Sequence, residues 1–184
     1  MNDKIKNMTL IAVMTAVMCV LSPISIPLGP VPVSLATLVV LLSTYILGMR
    51  RSVIAIILYL LIGLAGVPVF SGFTGGISKL IGPTGGYLTG YIPMVIIAGL
   101  VIDRYYRNYL ISAIGMIVST AVLYAIGTAW LACSASMTPA AAIAAGVIPF
   151  IPLDLLKIVI AAVSGPVLRS RLEKTGLISY CVIF

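Results

Sequence analysis

The chain has 184 residues, of which 61% are hydrophobic and only 8% are charged, and its formal net charge is +7. A soluble domain of this size carries about a quarter charged residues, so the composition excludes an ordinary water-facing surface and suits one that faces lipid. The basic residues are scattered between apolar runs, which argues against a nucleic-acid partner. The absence of histidine removes the commonest metal ligand and general base, and no metal site or cofactor is predicted.

Apolar runs divide the chain into six predicted membrane-spanning helices. About 20 apolar residues cross a bilayer as a helix, and helices suit continuous apolar runs better than a β-barrel does. The sequence therefore predicts an all-α membrane protein, a six-helix bundle that forms a single integral membrane domain over residues 1–184. The predicted spans are residues 8–21, 33–48, 52–64, 87–102, 109–131 and 147–168.

The distribution of Lys and Arg predicts the orientation of the bundle. With the N-terminus inside, nine of the 11 basic residues fall in cytoplasmic segments, while Lys79 lies outside and Lys157 falls within a span. Cytoplasmic loops of membrane proteins carry such an excess of basic residues. Both termini are therefore expected in the cytoplasm. The proline-rich loop after the first span, the glycine-rich loop and the small-residue loop before the last span then share the outer face.

Asp154 and Lys157 interrupt the last apolar run. Charges at membrane depth cost roughly 3 kcal/mol each on insertion scales and usually face a cavity or the protein interior. Because the two residues are three apart, they share one face of a helix. One interpretation is a salt bridge that only eases insertion. The other is a polar pocket, in which Lys157 pairs with a ligand carboxylate and Asp154 accepts hydrogen bonds from ligand N–H groups.

The longest predicted loop, residues 65–86, is rich in glycine. Glycine allows the backbone to approach a ligand closely, and loops of this length are usually functional. The aromatic residues Phe70, Phe73 and Tyr87 favour a lid with aromatic walls over a flexible connector. In the first span, Ala12 and Ala16 are small residues four apart, a spacing that lets another helix approach closely.

Seven short pieces of the sequence occur in a characteristic order. They are residues 27–33, 47–48 with the two arginines that follow, 66–70, 75–76, 82–87, 127–131 and 149–157. In this order the pieces resemble the BioY family, the biotin-specific S components of energy-coupling factor transporters, over residues 23–160. The chain departs from the family at Ala36, where glutamine is common, so one polar contact of the family's pocket is expected to be missing.

The resemblance implies a multi-pass protein of the bacterial cell membrane that binds biotin from outside. It also implies three partner proteins, namely a transmembrane coupling subunit, which Ala12 and Ala16 would face, and two ATPase subunits. The chain itself has no P-loop motif and is not expected to be an enzyme. The predicted substrate-binding residues are Asp154, Lys157, Tyr87, Gly75, Gly76, Thr84, Phe70 and Trp130.

Three other functions stay open from the residues alone. A stand-alone secondary transporter or facilitator of a small carboxylate could use Asp154 as a proton site. Dependence of uptake on ATP rather than on the proton gradient would favour the biotin S component over this alternative. An intramembrane enzyme is disfavoured, because the chain has no histidine for a Ser/His protease and no second acid that faces Asp154. A purely structural subunit would leave the charged pair and the glycine-rich loop without a role.

Overall fold

The computed structural model describes residues 3–27 and 31–175, which form eight helices and one two-stranded antiparallel hairpin. Residues 28–30 of the proline-rich loop and the C-terminal Cys181 lie outside the described residues. The elements are α1 (Asp3–Leu21), β1 (Ser25–Ile26), β2 (Val33–Ser34), α2 (Ala36–Leu47), α3 (Met49–Leu64), α4 (Ile77–Ile81), α5 (Gly85–Tyr105), α6 (Tyr109–Ser134), α7 (Pro139–Gly146) and α8 (Ile151–Lys174).

Each of the six predicted spans coincides with one of the longer helices, and the differences lie at the helix ends. The second helix begins at Ala36 rather than at residue 33, because Val33 pairs with Ile26 in the hairpin. The turn after it falls at Gly48, and Arg50 and Arg51, which lie between the predicted spans, belong to the first turn of α3. Gly48 has a φ of 76°, a conformation that glycine adopts without a steric penalty.

Two short helices, α4 and α7, occupy segments predicted to be loops. Helix α7 begins at Pro139, and the hydroxyl of Thr138 accepts a hydrogen bond from the Ala141 N–H at 3.4 Å. Proline at the first position and threonine at the N-cap both favour a helix start. The last span begins later than predicted, at Ile151, because residues 147–150 form a turn.

Four helices of the described chain are long and apolar enough to cross a membrane: residues Lys4–Leu21 of α1, and helices α5, α6 and α8. The other two long helices have 12 residues (α2) and 16 residues (α3), which is shorter than the roughly 20 residues of a full crossing. The protein is therefore a mostly helical membrane protein with four helices of spanning length.

The six long helices pack side by side in a closed ring in the order α1, α3, α5, α6, α8 and α2. Helix α2 also packs against α3 and α5 across the ring, which makes it the most enclosed element, and nine of its 12 residues are buried. The most extensive helix contact joins α5 and α6, where Gly86 of α5 lies directly against the side chain of Trp130. Small residues of this kind let two helix backbones approach closely.

The two ends of the bundle differ in chemistry. The loop end consists of residues 22–27, 31–35, 65–84 and 135–150, and its segments are tied together by bonds such as Gly72 N–H to Pro23 O at 3.0 Å. The basic end consists of residues 3–6, 48–51, 103–109 and 169–174. There Asp103 accepts hydrogen bonds from the Met49 N–H and from Arg169, both at 2.9 Å.

Candidate functional site

A cavity opens at the loop end between α2, α5, α6 and α8, beneath the hairpin and the glycine-rich loop. Its empty volume is about 550 Å³, including the part open to solvent. Its apolar walls are Val31, Pro32, Ala36, Leu88, Leu123 and Phe150. Its polar lining is Ser34, Thr37, Ser71, Thr84, Asp154 and Lys157, together with Tyr59, Tyr87, Tyr91 and Tyr124.

Asp154 and Lys157 form a buried ion pair on this cavity. Lys157 Nζ lies 2.7 Å from Asp154 Oδ1, and the two residues are 8% and 3% exposed. Lys157 Nζ also donates to the carbonyl oxygen of Ser34 at 2.7 Å, which fixes the hairpin to α8. Asp154 lies in the first turn of α8, where the helix dipole favours an acidic group.

Tyr124 completes the network from α6. Its hydroxyl donates to Asp154 Oδ2 at 2.6 Å, so each carboxylate oxygen of Asp154 accepts one short hydrogen bond. Hydrogen bonds to an ionised acceptor at this length are roughly twice as strong as neutral ones. The carboxylate keeps further lone pairs and the ammonium group a third N–H. The network therefore presents both a donor and an acceptor beside an otherwise uncharged set of lining residues.

Two further predicted residues, Tyr87 and Thr84, line the cavity. The Tyr87 hydroxyl donates to the Gly146 carbonyl oxygen at 2.9 Å and lies 3.4 Å from Thr128 Oγ1. Because that hydroxyl is engaged with α7 and α6, Tyr87 offers the cavity its ring rather than its hydroxyl. Thr84 Oγ1 donates to the Lys79 carbonyl oxygen at 3.3 Å and so holds the end of the glycine-rich loop.

Phe70 and Trp130 are not among the residues that line the cavity. Phe70 is 1% exposed and packs edge-to-face on Tyr59, with 5.6 Å between the ring centroids. Tyr59 does line the cavity, so Phe70 supports a wall from behind. Trp130 is 44% exposed, and its Nε1–H donates to the Gly82 carbonyl oxygen at 3.0 Å.

Gly75 and Gly76 also lie away from the cavity wall and shape the loop instead. The Cα of Gly75 faces the backbone of Val67 so closely that a side chain would collide with it. Gly76 has a φ of 91°, and its N–H donates to the Gly63 carbonyl oxygen at 2.7 Å. Both glycines are therefore required by the turn of the loop back onto α3.

Sequence reasoning missed Tyr124, Thr37, Tyr91 and Ser34 as lining residues. Tyr91 lines the cavity from α5, Thr37 from α2 and Ser34 from the hairpin. The sequence did contain a signal for these residues, a hydroxyl side chain within an apolar run. Tyrosines in spans usually lie at the membrane interfaces, so a tyrosine in the middle of a span indicates a polar partner or a cavity. Ala36, the departure from the family pattern, is 3% exposed and lines the cavity, so the missing glutamine leaves space at the wall.

The predicted docking residues Ala12 and Ala16 are exposed on the outer face of α1. The opposite face of α1 carries the buried Met14 and Met18, which pack into the core. Within residues 3–27 and 31–175, no group of three His, Cys, Asp or Glu side chains could hold a metal ion.

Among known proteins, the chain is similar to biotin transporters and to a biotin S-component of known structure. The chain is 37% identical over 175 residues to the biotin transporter BioY2 of Lactococcus lactis, covering 95% of this chain and 96% of that protein. It is 37% identical over 120 residues to the biotin transporter BioY of Thermotoga maritima, covering 64% and 69%. A crystal structure of the S-component for biotin from an ECF-type ABC transporter matches with a TM-score of 0.85 and 26% identity, covering 92% of this chain and 93% of that one. The BioY family profile matches residues 1–174, and the chain therefore belongs to the BioY family.

Proposed function

We propose that this protein is the biotin-binding, substrate-specificity subunit of an ATP-driven energy-coupling factor transporter. The observation that carries the proposal is the network of Asp154, Lys157 and Tyr124 on a cavity of a BioY-family chain. Its relatives are biotin transporters, and the matching crystal structure is that of a biotin S-component. A structural subunit would not need such a network, since apolar side chains would stabilise the bundle as well.

The cavity has the chemistry that biotin requires. Biotin carries a ureido ring with two N–H donors, an apolar thiophane with its valeryl chain, and a carboxylate. We assign the carboxylate to the third N–H of Lys157 and a ureido N–H to a free lone pair of Asp154. The rings of Tyr59, Tyr87 and Tyr91 then enclose the apolar part, which supplies most of the affinity in sites of this kind.

The membrane arrangement belongs to the same proposal. Nine of the 11 basic residues lie at the basic end, and this excess supports a cytoplasmic location, in a bacterial cell, for that end and for both termini. All six long helices then cross the bilayer, and the loop end roofs the cavity from outside. Ala12 and Ala16 on the outer face of α1 dock the coupling subunit, and two ATPase subunits complete the transporter.

Biotin binding to the purified full chain in detergent, measured by isothermal titration calorimetry, tests the proposal. We expect Asp154→Ala and Lys157→Ala to weaken binding at least tenfold, while Lys79→Ala, a loop-end lysine that does not line the cavity, binds as the wild type does. Biotin methyl ester should bind the wild type more weakly than biotin does, and the Lys157→Ala variant should no longer distinguish the two ligands. A folded wild-type chain that does not bind biotin would overturn the assignment.

A further inference from the structure

A groove at the basic end lies on the opposite side of the bundle from the biotin cavity. It runs between the α5–α6 turn and the last turns of α8, and its empty volume is about 470 Å³, including the part open to solvent. Its lining residues are Tyr106, Arg107, Tyr109, Pro166, Val167 and Ser170. The α5–α6 side of the groove is thus cationic and hydroxyl-bearing, and the α8 side is apolar apart from Ser170.

The groove lies at the level where the lipid headgroups meet the protein. Helix α5 ends at Tyr105, α6 begins at Tyr109, and α8 carries its basic residues in its last turn. These are three of the four helices of spanning length, so their shared ends mark the boundary between apolar core and charged segments. Tyrosine is enriched at this boundary in membrane proteins.

Arg107 is the cation of the groove, and a partly buried framework holds it. Its Nε–H donates to the Tyr106 hydroxyl at 3.2 Å, and its guanidinium lies 5.6 Å from the centroid of the Tyr106 ring. Tyr106 is fixed in turn by donating to Glu173 Oε2 at 2.8 Å and by Arg169, whose guanidinium lies 4.5 Å from the same ring. The two terminal NH₂ groups of Arg107 stay available for a bidentate contact.

The charges around the groove favour an anion. Residues 103–109 and 169–174 contain five basic and two acidic side chains, a net charge of +3. Both acidic groups, Asp103 and Glu173, form ion pairs with Arg169, whereas no carboxylate of the described residues lies within 4 Å of Arg107. Arginine matches the geometry of a phosphate group, and basic residues at this depth attract anionic headgroups.

We propose that this groove binds one anionic phospholipid, with its phosphate on Arg107 and an acyl chain along Pro166 and Val167. The lipid would join the α5–α6 turn to the end of α8. This inference uses no residue of the biotin cavity and does not depend on the ligand bound there. Free phosphate shares the headgroup chemistry but lacks the chains that the apolar side of the groove contacts.

Lipid-dependent thermal stability of the full chain tests the proposal. The wild type and the variants Arg107→Gln and Arg104→Gln are titrated in detergent micelles with dioleoylphosphatidylglycerol, with dioleoylphosphatidylcholine or with inorganic phosphate. Arg104 is the matched control: it is exposed, donates from Nε to Tyr105 at 3.2 Å and lies over that ring at 5.8 Å, but it does not line the groove.

We expect phosphatidylglycerol to raise the unfolding midpoint of the wild type and of Arg104→Gln. The apparent affinity of Arg107→Gln for phosphatidylglycerol should fall about tenfold, as loss of one charged hydrogen-bond pair predicts. Equal affinities of the two variants would overturn the site. If phosphatidylcholine stabilises the wild type as much as phosphatidylglycerol does, the selectivity for an anion is overturned. If inorganic phosphate stabilises it as much as phosphatidylglycerol does, the groove binds a free phosphate rather than a lipid.

Discussion

Replacing Lys157 with methionine should destabilise the protein strongly, because it leaves the carboxylate of Asp154 buried without its cation. Lys157 makes two charge-assisted hydrogen bonds at 2.7 Å, to Asp154 and to the Ser34 carbonyl oxygen. Such bonds contribute about 1.5–3 kcal/mol each, and removing one partner of a buried ion pair costs about 3–5 kcal/mol. We therefore expect Lys157→Met to lower the free energy of unfolding by about 3–5 kcal/mol.

The double variant Lys157→Met/Asp154→Leu separates the buried charge from the loss of packing. Replacing both partners by apolar side chains removes the unpaired charge, so most of the lost stability should return. A residual cost of about 1–3 kcal/mol is expected, because the Tyr124 hydroxyl loses its acceptor. The free energy of unfolding is measured without biotin, by titrating the protein from detergent into dodecyl sulfate while following helix content by circular dichroism.

Lys79→Met is the control for this series, since Lys79 lies in the short helix α4 at the loop end and does not line the cavity. It should change the unfolding free energy by less than about 0.5 kcal/mol, as surface substitutions do. The reasoning is refuted if Lys157→Met costs under about 1 kcal/mol. It is equally refuted if the double variant is as unstable as the single one, since the buried charge would then not be the cause.

Three other substitutions test the packing around the cavity and the basic end. Tyr124→Phe removes a short hydrogen bond to a carboxylate and should lower the unfolding free energy by about 1.5–3 kcal/mol. Gly127→Ala should cost about 1–3 kcal/mol by overpacking, because an added methyl group would collide with the Tyr87 ring. Asp103→Asn should cost about 3 kcal/mol, because it removes the charge that pairs with the 2% exposed Arg169. The dodecyl sulfate titration measures all three.

Each of these substitutions has a matched control in the chain. Tyr109→Phe removes a hydroxyl from an exposed tyrosine, Ala125→Val adds bulk to the exposed face of α6, and Glu173→Gln removes a partly exposed member of the Arg169 network. The first two should stay within about 0.5 kcal/mol of the wild type and the third within about 1 kcal/mol. A control that costs as much as its partner would contradict the explanation given for that site.

The buried charges at the two ends of α8 serve different purposes. Asp154 and Lys157 border a cavity and keep unused hydrogen-bonding capacity, as a ligand site requires. Asp103 and Arg169 instead join the turn between α2 and α3 to the ends of α5 and α8. From the sequence, Arg169 counts only as one of the basic residues that predict the orientation, whereas in the fold Asp103 and Arg169 belong to one ion-pair network.

The sequence by itself determined the helical membrane class, the approximate positions of the six long helices and the placement of Asp154 and Lys157 on one face of a helix. Hydropathy is a local property of the chain, and so is a separation of three residues, which places two side chains on one helix face. Both can be read from neighbouring residues without knowledge of the rest of the fold. The family pattern likewise consists of short contiguous pieces. Helices α4 and α7 and the hairpin are short, and their formation depends on contacts with neighbouring segments. Local sequence pattern therefore predicted loops at these positions.

Only the tertiary structure decided which side chains meet in the cavity. Tyr124 lies 30 residues before Asp154, and the Ser34 carbonyl oxygen that binds Lys157 lies 123 residues away. Whether a hydroxyl in an apolar helix faces lipid or cavity depends on how each helix is rotated about its axis. That rotation is set by packing against several other helices at once. Such packing is also why Phe70 and Trp130, predicted to bind substrate, are not among the residues that line the cavity.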